Sequence, residues 1–229
     1  MSRVIPNAVD VGQFDAPVRG RREPPRVGFV YAHNPIKGAD RCRHVVELAR
    51  RRIPDLQVLA FGADEPSDAM PLPPGTEYHR HPEQHAIAGL YARCDAWLFA
   101  TRIDSFGLPV LEAMACRTPV VGLPVGAAPD LLTPDAGVLV HAASEAESAP
   151  ALSDALVDLL AAPADAWQRM SECAHRRAHG YTWDDAVDRF ESELECAHRA
   201  PPSADQLEIA SLQPSQGNRQ PLQDGRAVE

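Results

Sequence analysis

The stretch that decides the fold runs from residue 95 to residue 121 and reads DAWLFATRIDSFGLPVLEAMACRTPVV. Residues 95–100 are mostly apolar and predict a buried strand. Residues 107–116 have helical spacing, with Pro109 in the first turn, where a missing N–H costs little. Residues 119–121 are a second apolar run. A strand, a helix and a strand in this order form a βαβ unit, so the stretch predicts a parallel sheet.

The same alternation continues on both sides of this unit. Further strands are predicted at 26–31, 56–62, 77–81 and 136–140, and further helices at 38–52, 82–93, 148–161, 163–179 and 182–200. This pattern predicts an α/β fold, a Rossmann-like parallel sheet with helices on both faces. Because ligands bind such sheets beyond the carboxyl ends of the strands, functional residues are expected in the strand-to-helix turns.

The 229 residues divide into three predicted parts. Residues 1–25 are rich in proline and arginine and are interpreted as a linker. Residues 26–200 form the α/β domain. Residues 201–229 are polar and rich in Pro, Gln, Ser and Asp, a composition typical of a disordered tail.

Composition excludes several classes of function. The formal net charge of −10 makes the chain a poor partner for nucleic acid, whose phosphates need a basic surface. No apolar run approaches the ~20 residues that span a bilayer, so no transmembrane segment is expected. The five cysteines are scattered, without a C-x-x-C pair, which is typical of reduced thiols in a cytoplasmic protein.

The turn at 32–38 (AHNPIKG) contains Lys37, the only lysine in the chain. It joins the first predicted strand to the first predicted helix. The free N–H groups and positive dipole of a helix N-terminus favour an anion, and a lysine adds a point charge. The turn is therefore a candidate phosphate site. The alternative is a surface lysine in a loop.

The turn at 104–112 (DSFGLPVLE) is the second candidate. Gly107 lets the backbone approach a ligand, and the helix that begins near Leu108 offers N–H donors. Asp104 precedes this helix and Glu112 lies about 6 Å along its axis, so both carboxylates are available to sugar hydroxyls. The alternative is Asp104 as an N-cap and Glu112 as a solvated residue. Because Glu112 has apolar neighbours in sequence, it needs a partner, and a ligand is one such partner.

The segments 106–116 and 118–121 closely resemble the donor-binding motif of retaining GT-B glycosyltransferases of family GT4, the glycosyl transferases group 1. That motif carries two acidic residues separated by seven others, here Asp104 and Glu112. Shorter matches follow in the family's order: Lys37-Gly38, Leu90-Tyr91 to Asp95-Ala96, Val125 to Asp130, and Tyr181-Thr182-Trp183. The resemblance extends over about residues 1–198 and implies the C-terminal, donor-binding half of a GT-B fold.

Carried over residue by residue, the resemblance implies a site for a nucleotide-diphospho-sugar. Lys37 would bind the pyrophosphate, Glu112 the ribose hydroxyls and Asp104 hydroxyls of the transferred sugar, which makes the two acids the catalytic candidates. Backbone N–H groups of 106–108 would face phosphate or sugar. No metal or cofactor is expected, because Lys37 and helix N-termini would neutralise the leaving group. The implied donor-binding set is Lys37, Asp104, Ser105, Phe106, Gly107, Leu108 and Glu112.

Three positions depart from the family's pattern. Asp104 stands where the family usually has a glutamate one methylene longer, and Ser105 stands where it often has glycine. The family commonly has an arginine in the first turn, at the position of Ala32. One phosphate cation would be lost unless Arg80 or Arg102 replaces it.

The histidines give a further candidate site. His79 and His81 would share one strand face, and with His85 they are an alternative metal site. His33, in the first turn, is interpreted as a structural residue, with an approach to the donor phosphate as the alternative.

Residues 4–10 and Phe14 resemble the link between the family's two domains, so the N-terminal acceptor domain is expected outside this sequence. The resemblance implies a hexosyltransferase-like enzyme that is incomplete alone and transfers sugar to an acceptor with the help of that domain, in the same polypeptide or on a separate chain. The alternative is a non-catalytic remnant or nucleotide-binding module with the same fold. The small pocket contacts that choose sugar, base and acceptor are not readable from the motif.

Overall fold

The computed structural model describes residues 4–199, so the predicted tail at 201–229 lies outside the described residues. All six predicted strands are present, with ends that shift by at most one residue: β1 Arg26–Val30, β2 Gln57–Gly62, β3 Glu77–Arg80, β4 Ala96–Phe99, β5 Val120–Gly122 and β6 Gly137–Leu139. They form one parallel sheet in the order β3-β2-β1-β4-β5-β6. The predicted fold class is confirmed.

The strand order places the two candidate turns side by side. The chain builds outward from β1 to β3, then returns to the other side of β1 with β4. In such a sheet the crevice for a ligand opens at this point of reversal, beyond the carboxyl ends of the two central strands. The turn with Lys37 follows β1, and the turn with Asp104 follows β4.

Helices cover both faces of the sheet. Seven are described: α1 Ala39–Ala49, α2 Gln84–Ala92, α3 Leu108–Ala115, α4 Ala128–Leu131, α5 Glu145–Ala161, α6 Ala164–Ala178 and α7 Trp183–Arg199. Trp97 and Phe99 pack with α2 and α3 on one face, while Ala96 and Leu98 pack with α1 and α5 on the other. Alternate β4 side chains thus enter opposite cores, as the pleat requires. Among the described residues, no helix is long and apolar enough to cross a bilayer.

Three local features differ from the sequence prediction. The helix α4 and a 3-10 helix at Pro35–Lys37 were not predicted, because one turn is too short to show a period. The helix α5 begins at Glu145 rather than at 148, because the Ser144 hydroxyl accepts from the Glu147 N–H at 3.3 Å and caps it. Its Pro150 lies inside the helix.

The chain divides into two compact units, one ending at Arg189 and the other beginning at Phe190. The described part of the second unit is the C-terminal portion of α7. It is amphipathic, and its large apolar side chains, Phe190 and Leu194, are exposed. The division at 189/190 is not the predicted boundary between domain and tail at residue 200. That boundary lies just beyond the described residues and stays a prediction.

The segment predicted as a linker is packed against the sheet domain. Its described part has no helix or strand, yet Val9, Phe14 and Ala16 are buried in the core that also holds α3 and α6. The Val9 N–H donates to the carbonyl of Tyr181 at 2.9 Å, and the Arg117 guanidinium donates to the carbonyl of Ala16 at 2.8 Å. These contacts make the segment part of the folded domain.

Candidate functional site

The first turn is held tightly against the end of β4. The Asn34 side chain accepts from the Ile36 N–H at 3.0 Å and starts the 3-10 helix that ends at Lys37. Gly38 then adopts a left-handed φ of 73°, and a Cβ there would lie 2.1 Å from the carbonyl oxygen of Ala100. Only glycine fits this close approach, so the Lys-Gly pair positions Lys37 beside the turn that follows β4.

The second turn is organised by Asp104. One carboxylate oxygen accepts from the N–H groups of Phe106, at 3.2 Å, and Gly107, at 2.8 Å. The other accepts from the Lys37 ammonium at 2.9 Å. Gly107 has a left-handed φ of 94° and precedes α3. The structure therefore joins Lys37 to Asp104. Of the N–H groups at 106–108 that were predicted to face a ligand, those of Phe106 and Gly107 instead donate to Asp104.

This pair has a buried anion and an accessible cation. The side chain of Asp104 is 12% exposed and that of Lys37 is 46% exposed. Burial pushes the pKa of Asp104 up, but the hydrogen bonds from Lys37, Phe106 and Gly107 outweigh it, so the pKa lies below its usual value. Asp104 is thus an anchored carboxylate that orients the one lysine of the chain toward solvent at the point where the strand order reverses.

Glu112 has a protein partner that the sequence did not reveal. It lies half-buried in α3, and its carboxylate accepts from the Tyr91 hydroxyl of α2 at 2.7 Å. Burial raises the pKa of Glu112, and the Tyr91 hydrogen bond partly offsets this. The alternative of a solvated Glu112 does not fit this contact, because α3 packs into the core. The Leu90-Tyr91 match was the available signal for this partner.

Tyr91 is itself rigid. It is fully buried, and its ring lies 4.4 Å from that of Trp97 and 5.4 Å from that of Phe61, centroid to centroid. Burial, followed by the nearby charge of Glu112, raises its pKa well above the usual value. The hydroxyl therefore stays protonated and donates to Glu112 across the neutral pH range.

A cavity of about 920 Å³ opens beside the second turn. Its volume lies in the range of about 300–1,000 Å³ typical of small-molecule sites. Ser105 and Phe106 line it, together with residues 4–7, Gly126-Ala127 and the corner between α6 and α7. Lys37, Asp104 and Glu112 are not in its wall, so of the predicted donor set only the turn residues Ser105 and Phe106 face it.

The two arginines proposed to replace the missing cation are neutralised by carboxylates. Arg102 forms a two-pronged pair with Asp40, at 2.9 and 2.7 Å, and contacts Glu145 at 2.7 Å. Arg80 pairs with Glu65 at 3.1 Å. Arg102 also donates to the carbonyl of Pro35 in the turn that holds Lys37, so it lies near that turn but is already paired.

The histidine predictions resolve differently. The backbone N–H of His33 donates to Asp64 at 2.7 Å and its ring contacts the Glu65 carbonyl at 2.6 Å, which fits the structural interpretation. Within residues 4–199, the group of three possible metal ligands with closely spaced donor atoms does not contain His79, His81 or His85. That metal alternative has no support in the described structure.

The fold and these turns define a Rossmann-like domain with a polar crevice at its point of strand reversal. The chain belongs to the family described as "Glycosyl transferases group 1", whose sequence profile matches residues 24–162. A comparison with curated proteins gave no match. The family assignment thus rests on this profile.

Solved glycosyltransferases share the fold. Sucrose-phosphate synthase from Thermosynechococcus elongatus is 22% identical, with a TM-score of 0.67 over 85% of this chain and 53% of that one. The C-terminal domain of the group 1 family protein LpcC from Francisella tularensis is 19% identical, with a TM-score of 0.62 over 77% of this chain and all 100% of the domain.

The pneumococcal O-GlcNAc transferase GtfA, solved in complex with UDP and GlcNAc, is 17% identical. Its TM-score is 0.60, over 86% of this chain and 39% of that one. The chain therefore spans about half or less of these two longer enzymes, whereas 77% of it matches the whole of the separate C-terminal domain of LpcC. The predicted C-terminal half of a GT-B fold is confirmed.

Proposed function

We propose that this chain is the donor-binding part of a retaining GT4-type glycosyltransferase that binds a nucleotide-diphospho-sugar. The observation that carries the proposal is the contact between Lys37 and Asp104 at the carboxyl ends of β1 and β4. In transfer from a nucleotide sugar, a cation stabilises the nucleoside diphosphate that leaves. The position of the chain's one lysine at these strand ends supports that role.

In this proposal each residue has a distinct task. Lys37 exchanges its contact with Asp104 for one with the pyrophosphate and stabilises the charge that develops as the glycosidic bond to phosphate breaks. Asp104, released from that pair, accepts hydrogen bonds from hydroxyls of the sugar. Glu112, held by Tyr91, accepts from the ribose hydroxyls. Ser105, Phe106, Gly107 and Leu108 shape the turn that faces the donor.

The acceptor is proposed to bind on a second domain that faces this one, in the same polypeptide or on a separate chain. The cavity beside Ser105 and Phe106 is the part of the surface that such a domain would close. No metal is required at the donor site, because the leaving charge meets Lys37 and the N-terminus of α3. The cytoplasmic location inferred from the scattered cysteines belongs to the same proposal.

One observation favours the alternative of a non-catalytic, nucleotide-binding or fold-retaining module. Asp104 already accepts hydrogen bonds from Lys37 and from the N–H groups of Phe106 and Gly107, as a structural aspartate that caps a turn does. This turn precedes α3, whose own N-cap is Gly107. Under this alternative the pair stabilises the turn, and nucleotide either does not bind or binds without turnover.

Titration calorimetry with UDP, GDP and ADP separates these cases. We expect one of them to bind, and Lys37→Met to weaken it by about tenfold or more, since a charge-assisted contact to phosphate is lost. Arg51→Met, an exposed cation at the other end of α1, is the matched control and should bind like the wild type. A folded chain that binds none of the three would refute the donor site. Binding without sugar transfer, with an acceptor domain present, would support the module instead.

A further inference from the structure

Three potential metal ligands meet where the N-terminal segment crosses α6. His175 and His179 lie four residues apart and so share one face of the helix. Their ring centroids are 4.0 Å apart. Asp15 comes from the segment before β1, and its carboxylate lies 2.9 Å from Nε2 of His175. One donor atom from each residue lies within 4.8 Å of the other two.

We propose that Asp15, His175 and His179 bind a divalent transition metal of the zinc type, which fastens the segment at residues 4–25 to α6. Two imidazoles and a carboxylate are a common zinc donor set, with bonds of about 2.0–2.2 Å. Four-residue spacing on a helix brings two histidines onto one ion. A small opening of the contact between Asp15 and His175 admits the metal between them.

The hydrogen bonds already orient one ring as a ligand. Nδ1 of His179 lies 2.9 Å from the carbonyl oxygen of His175, which can only accept, so Nδ1 carries the proton. In the neutral ring Nε2 then has the free lone pair. A backbone acceptor on the non-ligating nitrogen is the usual second contact of a metal-binding histidine, because it fixes both tautomer and ring direction.

Burial and charge also suit a cation. The side chain of His175 is 16% exposed and that of Asp15 is 58% exposed, so the site has a sheltered base and an open entry. The carboxylate of Asp15 supplies the negative charge of the donor set and lies beside the two imidazoles.

Cys173 does not belong to this donor set. It precedes His175 by two residues, about 200° around the helix, and so points away from the shared histidine face. Its sulfur instead accepts from the Arg176 guanidinium at 3.0 Å. The site is therefore of the nitrogen and oxygen type, with three protein ligands and room for water at a fourth position.

The test is zinc titration of the full chain after EDTA treatment and removal of the chelator, followed by calorimetry and thermal unfolding. We expect one zinc ion per chain and a rise of the Tm with zinc, since a ligand that binds only the folded state stabilises it. His179→Ala should weaken zinc binding by at least about tenfold. His85→Ala, an exposed histidine on α2, should leave it unchanged.

A second variant guards against misfolding. Asp15→Asn changes an exposed side chain outside any helix or strand, so it should keep the wild-type circular dichroism and lose zinc affinity. Absence of zinc binding by the wild type would overturn the proposal. Zinc affinity equal to that of the wild type in both Asp15→Asn and His179→Ala would overturn it as well. A thiolate-to-metal charge-transfer band in the cobalt-substituted chain would also refute it, because cysteine would then be the ligand.

Discussion

Replacing Asp104 separates its structural role from its role in charge pairing. Asp104→Ala removes the 2.9 Å ion pair with Lys37 and both N–H contacts, at 3.2 Å to Phe106 and 2.8 Å to Gly107. Asp104→Asn keeps an oxygen that accepts from the two N–H groups but removes the negative charge. The two variants therefore differ mainly in the capping contacts.

The expected losses follow from these contacts. An acidic cap contributes about 1 kcal/mol to the free energy of unfolding, with a range of roughly 0.5–2. The pair with Lys37 is discounted to about 0.5 kcal/mol, because that lysine is 46% exposed and screened by solvent. Asp104→Ala should thus lose about 1–2.5 kcal/mol and Asp104→Asn about 0.5–1 kcal/mol.

Urea unfolding at pH 7, followed by circular dichroism and tryptophan fluorescence, measures both values. Asp104→Glu is the matched control for charge, since the family usually has glutamate at this position. Equal losses for Asp104→Asn and Asp104→Ala would show that the capping contacts contribute little, and the reasoning would fail. A loss below about 0.5 kcal/mol for Asp104→Ala would refute it as well.

The pH dependence gives an independent check. The folded pKa of Asp104 is depressed, so its stabilisation is fully present above the unfolded value of about 3.9 and is lost as the pH falls through the folded pKa. The gap in stability between wild type and Asp104→Ala should therefore narrow in acid. A difference in the free energy of unfolding that stays constant from pH 7 to below the folded pKa of Asp104 would contradict a stabilising role for the charged carboxylate.

Further substitutions test the neighbouring contacts. Gly38→Ala should cost more than about 1 kcal/mol in urea unfolding, since its Cβ would meet Ala100 at φ 73°, and an unchanged midpoint would contradict this. Tyr91→Phe removes the donor to Glu112 and should cost about 1–3 kcal/mol at pH 7; a neutral result would show that water replaces the hydroxyl. The pKa of Glu112 is raised in the folded state, so the free energy of unfolding of the wild type falls as the pH rises from about 4.3 through that raised pKa. Over this range Glu112→Gln should become more stable relative to the wild type, as measured by urea unfolding at several pH values. EDTA should leave the calorimetric affinity for nucleotide unchanged, because Lys37 meets the phosphate charge, and a loss of affinity would indicate a metal at the donor site.

The fold was readable from the sequence because period and punctuation agree along most of the chain. Strands such as 95–100 are mostly apolar runs. Helices cover both faces of a parallel sheet, so the side chains on both faces of such a strand are buried. The N-terminal segment was harder. Val9, Phe14 and Ala16 follow no period, so their burial against α3 and α6 depends on the shape of the finished domain.

The site was readable only in part. Both turns were found from sequence, but the contact between Lys37 and Asp104 joins residues 67 positions apart. It exists because β1 and β4 are neighbours in the sheet, and strand order is not encoded in either turn. The partner of Glu112 was missed for the same reason, since Tyr91 belongs to another helix. The role of each residue toward a donor stays a prediction.

The single lysine also gives the chain one chemically addressable side-chain amine. Apart from the chain's amino terminus, Lys37 carries the only primary amine in the 229 residues. An acylating fluorophore would therefore attach, without any mutagenesis, at only two amines: the amino terminus, and Lys37 at the crevice between β1 and β4. The rate of attachment at Lys37 would report how the carboxylate of Asp104 shields the lysine Nζ. Slower attachment in the presence of a nucleotide would indicate that the nucleotide binds near Lys37.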